Sequence, residues 1–314
     1  MGSAWAQSTK ETYGAGLLVF HVYCDLHHIE ETKRCPVSPN LLLEFLASCA
    51  GAYSGSAIAN FAAGIKAWHL LHGRTWLIQP DELKATIGGA AALAPTTSKR
   101  PKRQPFTPDF MSSLRNHLDL SKPLNAAVFA CMTTTFYCIA RLGEFTVRTV
   151  KGFDPKKHIS RAGMVESTDR NGLPVTNFIL PSTKSSPLAG EGAYWAAQDG
   201  PTDPKSAMAN HIRINTARPE DHLFAWKHEK GLRPLSKSEF TKRVSLAASA
   251  AGLPDLKGHG LRIGGTLEYL LRGVPFDVVK TMGRWSNHAK IIAPYIQSSP
   301  ALEPFTRYTM PPVR

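Results

Sequence analysis

KGHGLRIGGT, residues Lys257–Thr266, is the stretch on which the fold turns. His259 precedes Arg262 by three residues, and the pair Gly264–Gly265 leads into TLEYLLRG, a run with Leu267, Leu270 and Leu271 at helical spacing. Residues three apart share a helix face, so both cation-capable side chains emerge together near the helix start. A helix N-terminus adds backbone N–H donors and a dipole that favours an anion. The two glycines lack side chains, so the helix start is expected to pack closely on the buried helix that brings Arg141. The stretch reads as one half of a phosphate clamp. Alone it is weak, because His and Arg near a helix start also decorate ordinary surfaces.

Upstream, LNAAVFACMTTTFYCIARLGEF (Leu124–Phe145) is long and apolar, which predicts a buried helix ending near Arg141 and Glu144. By themselves those two residues read as a helix-end ion pair. MVES (Met164–Ser167) and VTNFILPS (Val175–Ser182) alternate as strands around the turn TDRNGLP. STKSSPLAGEG (Ser182–Gly192) is a second turn carrying Lys184, and AYWAA returns as a third strand. A small antiparallel sheet is therefore expected between helices. From Ser206 onward helices dominate, at 206–217, 236–251, 260–272 and 275–283. GRW then supplies Trp285 and APYI supplies Tyr295. No internal repeat is visible.

The N-terminal part reads as a helical bundle, with helices over Ser8–His27, Ser38–Gly51 and Ser54–Gly73. Ser8 or Thr9 is the expected cap of the first. The third is rich in Ala and Gly, suiting close helix packing or close approach to a groove. Its polar edge carries Lys66, His69, His72 and Arg74, either phosphate contacts or a solvated face. APTTSKRPKRQPFTP (Ala94–Pro108) is a linker by composition, with Lys99, Arg100, Lys102 and Arg103 among prolines. A basic extended linker suits a phosphate backbone, a nuclear-localisation signal, or both. The expected division is a helical domain over 1–93, a basic linker over 94–105 and a second domain over 106–314.

The 314 residues carry a net charge of +13, which points to a polyanionic partner, nucleic acid first. Residues 1–93 hold 6 Lys and Arg against 7 Asp and Glu, whereas 94–314 hold 31 against 17, so the basic charge lies in the linker and second domain. At 43% hydrophobic and 19% charged the chain is globular rather than disordered. No apolar run spans a bilayer, and no signal-peptide pattern opens the chain. The 5 cysteines form no CxxC pair and are odd in number, which suits a reducing compartment. There is no GxxxxGK[ST] loop and no HExxH. Cys24 and Cys35 with His27 and His28 lack a zinc spacing, so neither metal nor cofactor is expected.

The ordered set Arg141-x-x-Glu144, Lys184 on a hairpin turn, His259-x-x-Arg262, Trp285 and Tyr295 resembles the tyrosine recombinases, the phage-integrase family, over residues 106–300. HGLRIGGTLEYLLRG and MGRW look most like recombinases of fungal mobile elements of the Crypton or DIRS type. The resemblance implies a mainly α fold with a small antiparallel β-sheet: a helical core-binding domain plus an α+β catalytic domain, closing as a clamp around DNA. It implies a site-specific DNA recombinase acting through a 3′-phosphotyrosine, with double-stranded DNA as partner and no metal or ATP. It further implies a homo-tetramer on paired sites, with a monomer possible in free solution. The location would be the nucleus of a eukaryote, otherwise the cytoplasm with the nucleoid.

The residue types suit that chemistry. Two arginines bind non-bridging phosphate oxygens bidentately and neutralise the charge growing in the transition state. The resemblance gives these roles to Arg141 and Arg262, with Glu144 orienting the site. It gives Lys184 the protonation of the departing 5′ oxygen, His259 proton transfer or phosphate donation, and Tyr295 the attack. Trp285 donates only through its indole N–H, so it is a donor and packing element. The ten residues from Trp285 to Tyr295 slightly exceed the usual spacing, Pro294 stands directly before Tyr295, and Tyr308 is the rival nucleophile. Two other functions share these features: a type IB topoisomerase, and a domesticated DNA-binding module that kept the fold.

Overall fold

The computed structural model describes residues 4–98, 103–169 and 172–285. The chain divides into two compact units, Met1–Lys102 and Arg103–Arg314. In the first, α1 (Gln7–Leu26), α2 (Glu31–Arg34), α3 (Pro39–Ser48), α4 (Gly55–Leu71) and α5 (Pro80–Ala92) enclose a core centred on Phe20, Leu42, Phe45, Ile58 and Ile65. Ser38 and Ser54 cap α3 and α4, accepting from Leu41 N at 3.2 Å and Ala57 N at 3.3 Å. Neither Ser8 nor Thr9 caps α1; Ala6 stands at its N-cap with no side-chain bond. The small residues of α4 have the expected use. A Cβ on Gly16 would stand 2.7 Å from Phe61 Cα, and one on Gly64 2.7 Å from the Tyr13 carbonyl, so α1 and α4 nearly touch. α5 was not expected; Leu83, Ile87 and Ala90 share one face that packs on the core, but the Gly88–Gly89 pair weakens the helical signal.

A further expectation fails in this unit. His69 belongs to the core, not to a polar edge: it is 0% exposed, accepts from Val37 N at 2.8 Å through Nε2 and donates through Nδ1 to the Ile65 carbonyl at 2.8 Å. A histidine at helical spacing among polar residues shows nothing of such a backbone partner 32 positions away in sequence.

The second unit opens with α6 (Pro108–Arg115) and α7 (Pro123–Tyr137). α7 is buried from Asn125 to Tyr137, so it has no solvent face. Strands β1 (Met164–Thr168), β2 (Pro174–Leu180) and β3 (Glu191–Ala196) form an antiparallel sheet in that order, with Met164 opposite Phe178 and Phe178 opposite Ala193. Phe178 meets Phe145 edge-on at 5.5 Å, which seats the sheet on the core around α7. α8 (Pro204–Ile214) packs on α7. A second hairpin, β4 (Trp226–His228) and β5 (Gly231–Arg233), then interrupts the expected run of helices. Three-residue strands are too short to show a period of two. α9 (Lys237–Ala250), α10 (His259–Leu271) and α11 (Phe276–Met282) complete the described unit. Among the described residues no helix is long and apolar enough to cross a membrane, and the 5 cysteines are free.

Two buried histidines set an acid limit on this unit. His211 donates through Nε2 to the Leu223 carbonyl at 3.1 Å and accepts from the Asn215 amide at 3.0 Å. His222 accepts from Phe224 N at 3.2 Å. Burial is the largest cause in lowering both, to about 4 for His211, where Arg161 adds, and to about 3 for His222, beside His158 and His211. Unfolded histidines protonate near 6.5, whereas these stay neutral in the fold. Their stabilisation is therefore complete above pH 6.5 and lost as pH falls through the folded values. Denaturant unfolding at pH 7, 6 and 5 should show stability dropping by roughly 1.4 kcal/mol per pH unit for each histidine below pH 6. A flat profile there would contradict this reading.

Candidate active site

The expected helix to Phe145 stops early, and the stop makes the site. Ile139 N donates to the Phe136 carbonyl at 3.0 Å and Ala140 N to the Thr135 carbonyl at 2.9 Å, a Schellman ending for α7. The left-handed position is held by Ile139 at φ 48, not by glycine. A β-branched residue there costs roughly 1–2 kcal/mol. Its side chain is fully buried with Leu267, Leu270 and Val279. Apolar spacing continues straight through this break, which is why the sequence shows a longer helix.

Arg141 follows directly and opens a short 3-10 turn, Leu142–Glu144. Its Nη1 donates to Glu144 Oε1 at 2.9 Å and its backbone N to Glu144 Oε2 at 3.0 Å. The Glu144 side chain is 5% exposed and that of Arg141 34% exposed, so the carboxylate is sealed in while the guanidinium keeps an open edge. α10 is pressed onto this turn. A Cβ on Gly258 would lie 2.5 Å from Leu142 Cδ2, one on Gly264 2.0 Å from the Phe106 carbonyl, and one on Gly265 2.1 Å from the Phe136 carbonyl. Gly258, the N-cap of α10, offers no side-chain acceptor to the first-turn N–H groups.

Arg262, one turn into α10, is 2% exposed. Its Nη2 donates to the Gly283 carbonyl, and its Cζ lies 4.8 Å from the centroid of the Trp285 ring. Trp285 packs against the cluster of Ile139, Leu267, Leu270 and Val279. His259 keeps an exposed edge. Burial first, then the charges of Arg103, Arg262 and Arg141, hold its pKa below the ordinary 6.5. His259 thus senses three guanidinium groups from three segments. Arg103, at the end of the basic linker sequence, is among them.

Lys184 is exposed on the turn between β2 and β3. Its neighbours fix that turn: Ser186 N donates to Thr183 Oγ1 at 3.0 Å, and the hydroxyls of Thr183 and Ser185 both donate to Glu191 Oε2. Sequence reading missed Arg284. It takes φ 55 in a second Schellman ending, where Arg284 N reaches the Thr281 carbonyl at 2.9 Å and Trp285 N the Lys280 carbonyl at 3.2 Å. The Arg284 side chain is 8% exposed, pairs with Glu144 through Nη2 and places Nε 3.7 Å from Glu191 Oε2. The GRW tripeptide attracts notice for its tryptophan, and a basic residue after a helix-closing glycine usually points to solvent.

Beside the Arg141 turn lies an open cleft of about 750 Å³ lined by Gly143, Arg148, His158, Lys237 and Lys242 among others. Its cations were visible in the sequence only as part of the basic balance. In the first unit Lys66 is exposed, 5.8 Å over the Trp76 ring, and Arg74 is exposed on the turn after α4. Tyr295, Tyr308, Lys99, Arg100 and Lys102 lie outside the described residues. Among the described residues no group of three or more His, Cys, Asp and Glu side chains is placed to hold a metal ion.

No protein-family model matches the chain, and no curated protein does. Solved structures do, and the fold they define is that of the tyrosine site-specific recombinases. The likeness that carries this is to the XerH site-specific recombinase, in its post-cleavage complex with a palindromic difH substrate: TM-score 0.58 at 15% identity, covering 95% of this chain and 79% of that one. XerA recombinase matches with TM-score 0.42 and 12% identity over 99% of this chain and 95% of its own. A Flpe–Holliday junction complex matches with TM-score 0.40 and 14% identity over 57% of this chain but only 44% of the Flpe chain.

Proposed function

We propose that this chain is a site-specific DNA recombinase that breaks and rejoins DNA through Tyr295. The observation that carries the reading is the close seating of α10, with His259 and Arg262, against the turn that holds Arg141 and Glu144, on a recombinase fold. Arg141 and Arg262 bind the scissile phosphate and neutralise its growing charge. The phenolic oxygen of Tyr295 attacks phosphorus, its proton passes to the neutral His259 ring, and the bond from phosphorus to the 5′ oxygen breaks. Lys184 gives its proton to that oxygen. The phosphate stays on the 3′ end as a phosphotyrosine, and the 5′ hydroxyl of a partner strand reverses the step. Exchange between two sites calls for a tetramer on paired DNA. The basic cleft beyond Gly143 suits flanking phosphates. A mobile element of the Crypton or DIRS type is the proposed source.

A nicked duplex library with a randomised core, incubated with the full chain and denatured, should leave DNA covalently attached. Sequencing that DNA gives the site and the polarity of cleavage. Tyr295→Phe should abolish the adduct and Tyr308→Phe should keep it. An adduct of undiminished yield on Tyr295→Phe would overturn the nucleophile assignment. Because arginine charges do the neutralising, adduct yield should be unchanged within about twofold in excess EDTA. Relaxation of supercoiled plasmid with no sequence preference would favour a relaxing enzyme instead.

A further inference from the structure

We infer that Arg284 is a positioning residue that locks the Lys184 turn to the Arg141 turn. The inference deepens the recombinase reading and rests on it. Glu144 Oε1 holds Arg141 at 2.9 Å, while its Oε2 holds Arg284. On the other side Arg284 faces Glu191, whose same Oε2 oxygen takes the hydroxyls of Thr183 and Ser185, the residues on either side of Lys184. Nη1 of Arg284 lies 3.5 Å from the Gly192 carbonyl on β3. The chain from phosphate clamp to proposed acid is thus continuous: Arg141, Glu144, Arg284, Glu191, Lys184 turn.

The backbone says that the side chain is wanted. Arg284 occupies a left-handed Schellman position, where glycine fits without strain and arginine does not. Its guanidinium is nonetheless nearly buried between two carboxylates. An arginine kept only as a solvated charge would be replaceable there by glycine with a gain. Its fixed planar fork, by contrast, matches two carboxylates approaching from different segments. The same residue precedes Trp285, whose ring lies against Arg262, so the lock meets both arginines of the clamp.

Arg284→Gly is the informative variant, since it suits the backbone and removes the lock. Two measurements on the full chain decide the inference. Amide hydrogen exchange over 182–192 should rise at least tenfold in Arg284→Gly, with α7 and α10 unchanged; unchanged exchange over 182–192 overturns the inference. The second uses the duplex recovered as covalent adduct, made with either a normal 5′ oxygen or a bridging 5′ sulfur at the scissile position. A thiol ionises near 8.5, so the sulfur leaves without a proton donor. Arg284→Gly and Lys184→Ala should both lose at least a hundredfold in cleavage of the oxygen substrate and recover to within about tenfold of wild type on sulfur. The double variant should be no worse than Lys184→Ala. Equal losses on both substrates would show a general defect and overturn the link to Lys184. Arg284→Lys, which keeps the charge but not the fork, should fall between. If the wild-type chain attaches to neither substrate, the recombinase reading itself fails and the inference falls with it. If wild type cuts and the sulfur rescue is absent, only the inference fails.

Discussion

Arg262→Ala is expected to slow covalent attachment to DNA by roughly a thousandfold or more. The guanidinium is 2% exposed, held by the Gly283 carbonyl and faced by the Trp285 ring, so it has already left bulk water. A charge fixed in such surroundings acts on a phosphate with little solvent screening and no reorganisation. Arg141 keeps a 34% exposed side chain, so its loss is expected to cost less. Removing a large buried side chain also leaves a cavity, which makes a second reading of the same variant necessary. Arg262 is one of three positive charges that lower the His259 pKa, so that pKa should rise in Arg262→Ala. An NMR titration of His259 shows this in a folded protein. Arg262→Lys should retain the His259 value and recover part of the rate, since lysine restores charge without the bidentate fork. Attachment at the wild-type rate by a folded Arg262→Ala would remove Arg262 from the chemistry.

Like charges set close together repel. The charges of Arg103, Arg262 and Arg141 act together on His259, and Glu144 compensates Arg141. On the proposed reading, an arriving phosphate would relieve the repulsion between these like charges. The balance of +14 in residues 94–314 would, on the same reading, attract a DNA backbone generally, while a few of its groups would serve one phosphate.

How much of this the sequence showed depends on whether a residue acts through its type or through its partner. Gly264 and Gly265 were legible because a close helix contact needs glycine whatever lies opposite. The three-stranded sheet was legible because its turns carry Asn-Gly and Ser-Pro signals and its strands alternate. The end of α7 was not, because Ile139 takes a conformation that its type disfavours. Arg284 was hidden for the same reason, whereas His69 was hidden because its partner Val37 is remote in sequence. In the first two cases tertiary packing holds a residue against its local preference. Both residues, Ile139 and Arg284, stand beside the site, where such conflicts concentrate. Lys66 and Arg74 show the converse: their exposure agrees with the sequence and decides nothing about DNA.

Gly265→Ala is expected to damage the second unit severely. Its Cβ would stand 2.1 Å from the Phe136 carbonyl oxygen and 3.0 Å from the carbonyl carbon. That carbonyl has no room to yield, since it accepts from Ile139 N at 3.0 Å in the turn that ends α7. α7 itself is buried along its length and cannot move outward. Overpacking against backbone costs about 3 kcal/mol, which for a unit of this size lowers Tm by roughly 6–12 °C. Gly89→Ala is the contrast. Gly89 also lies within a helix, α5, but nothing stands within 4 Å of the added Cβ, so alanine should stabilise by roughly 0.5–1 kcal/mol through helix propensity. Calorimetry on the two variants separates close approach from propensity, and a Gly265→Ala transition within 2 °C of wild type, a span of about 1 kcal/mol, would refute the contact. The damage should also reach the chemistry. Pushing the Phe136 carbonyl away strains the same turn that delivers Arg141, so the surviving folded fraction should attach to DNA more slowly than its population accounts for. Stability and catalysis are joined there because one glycine contact sets both the seat of α10, with His259 and Arg262, and the ending of α7, with Arg141.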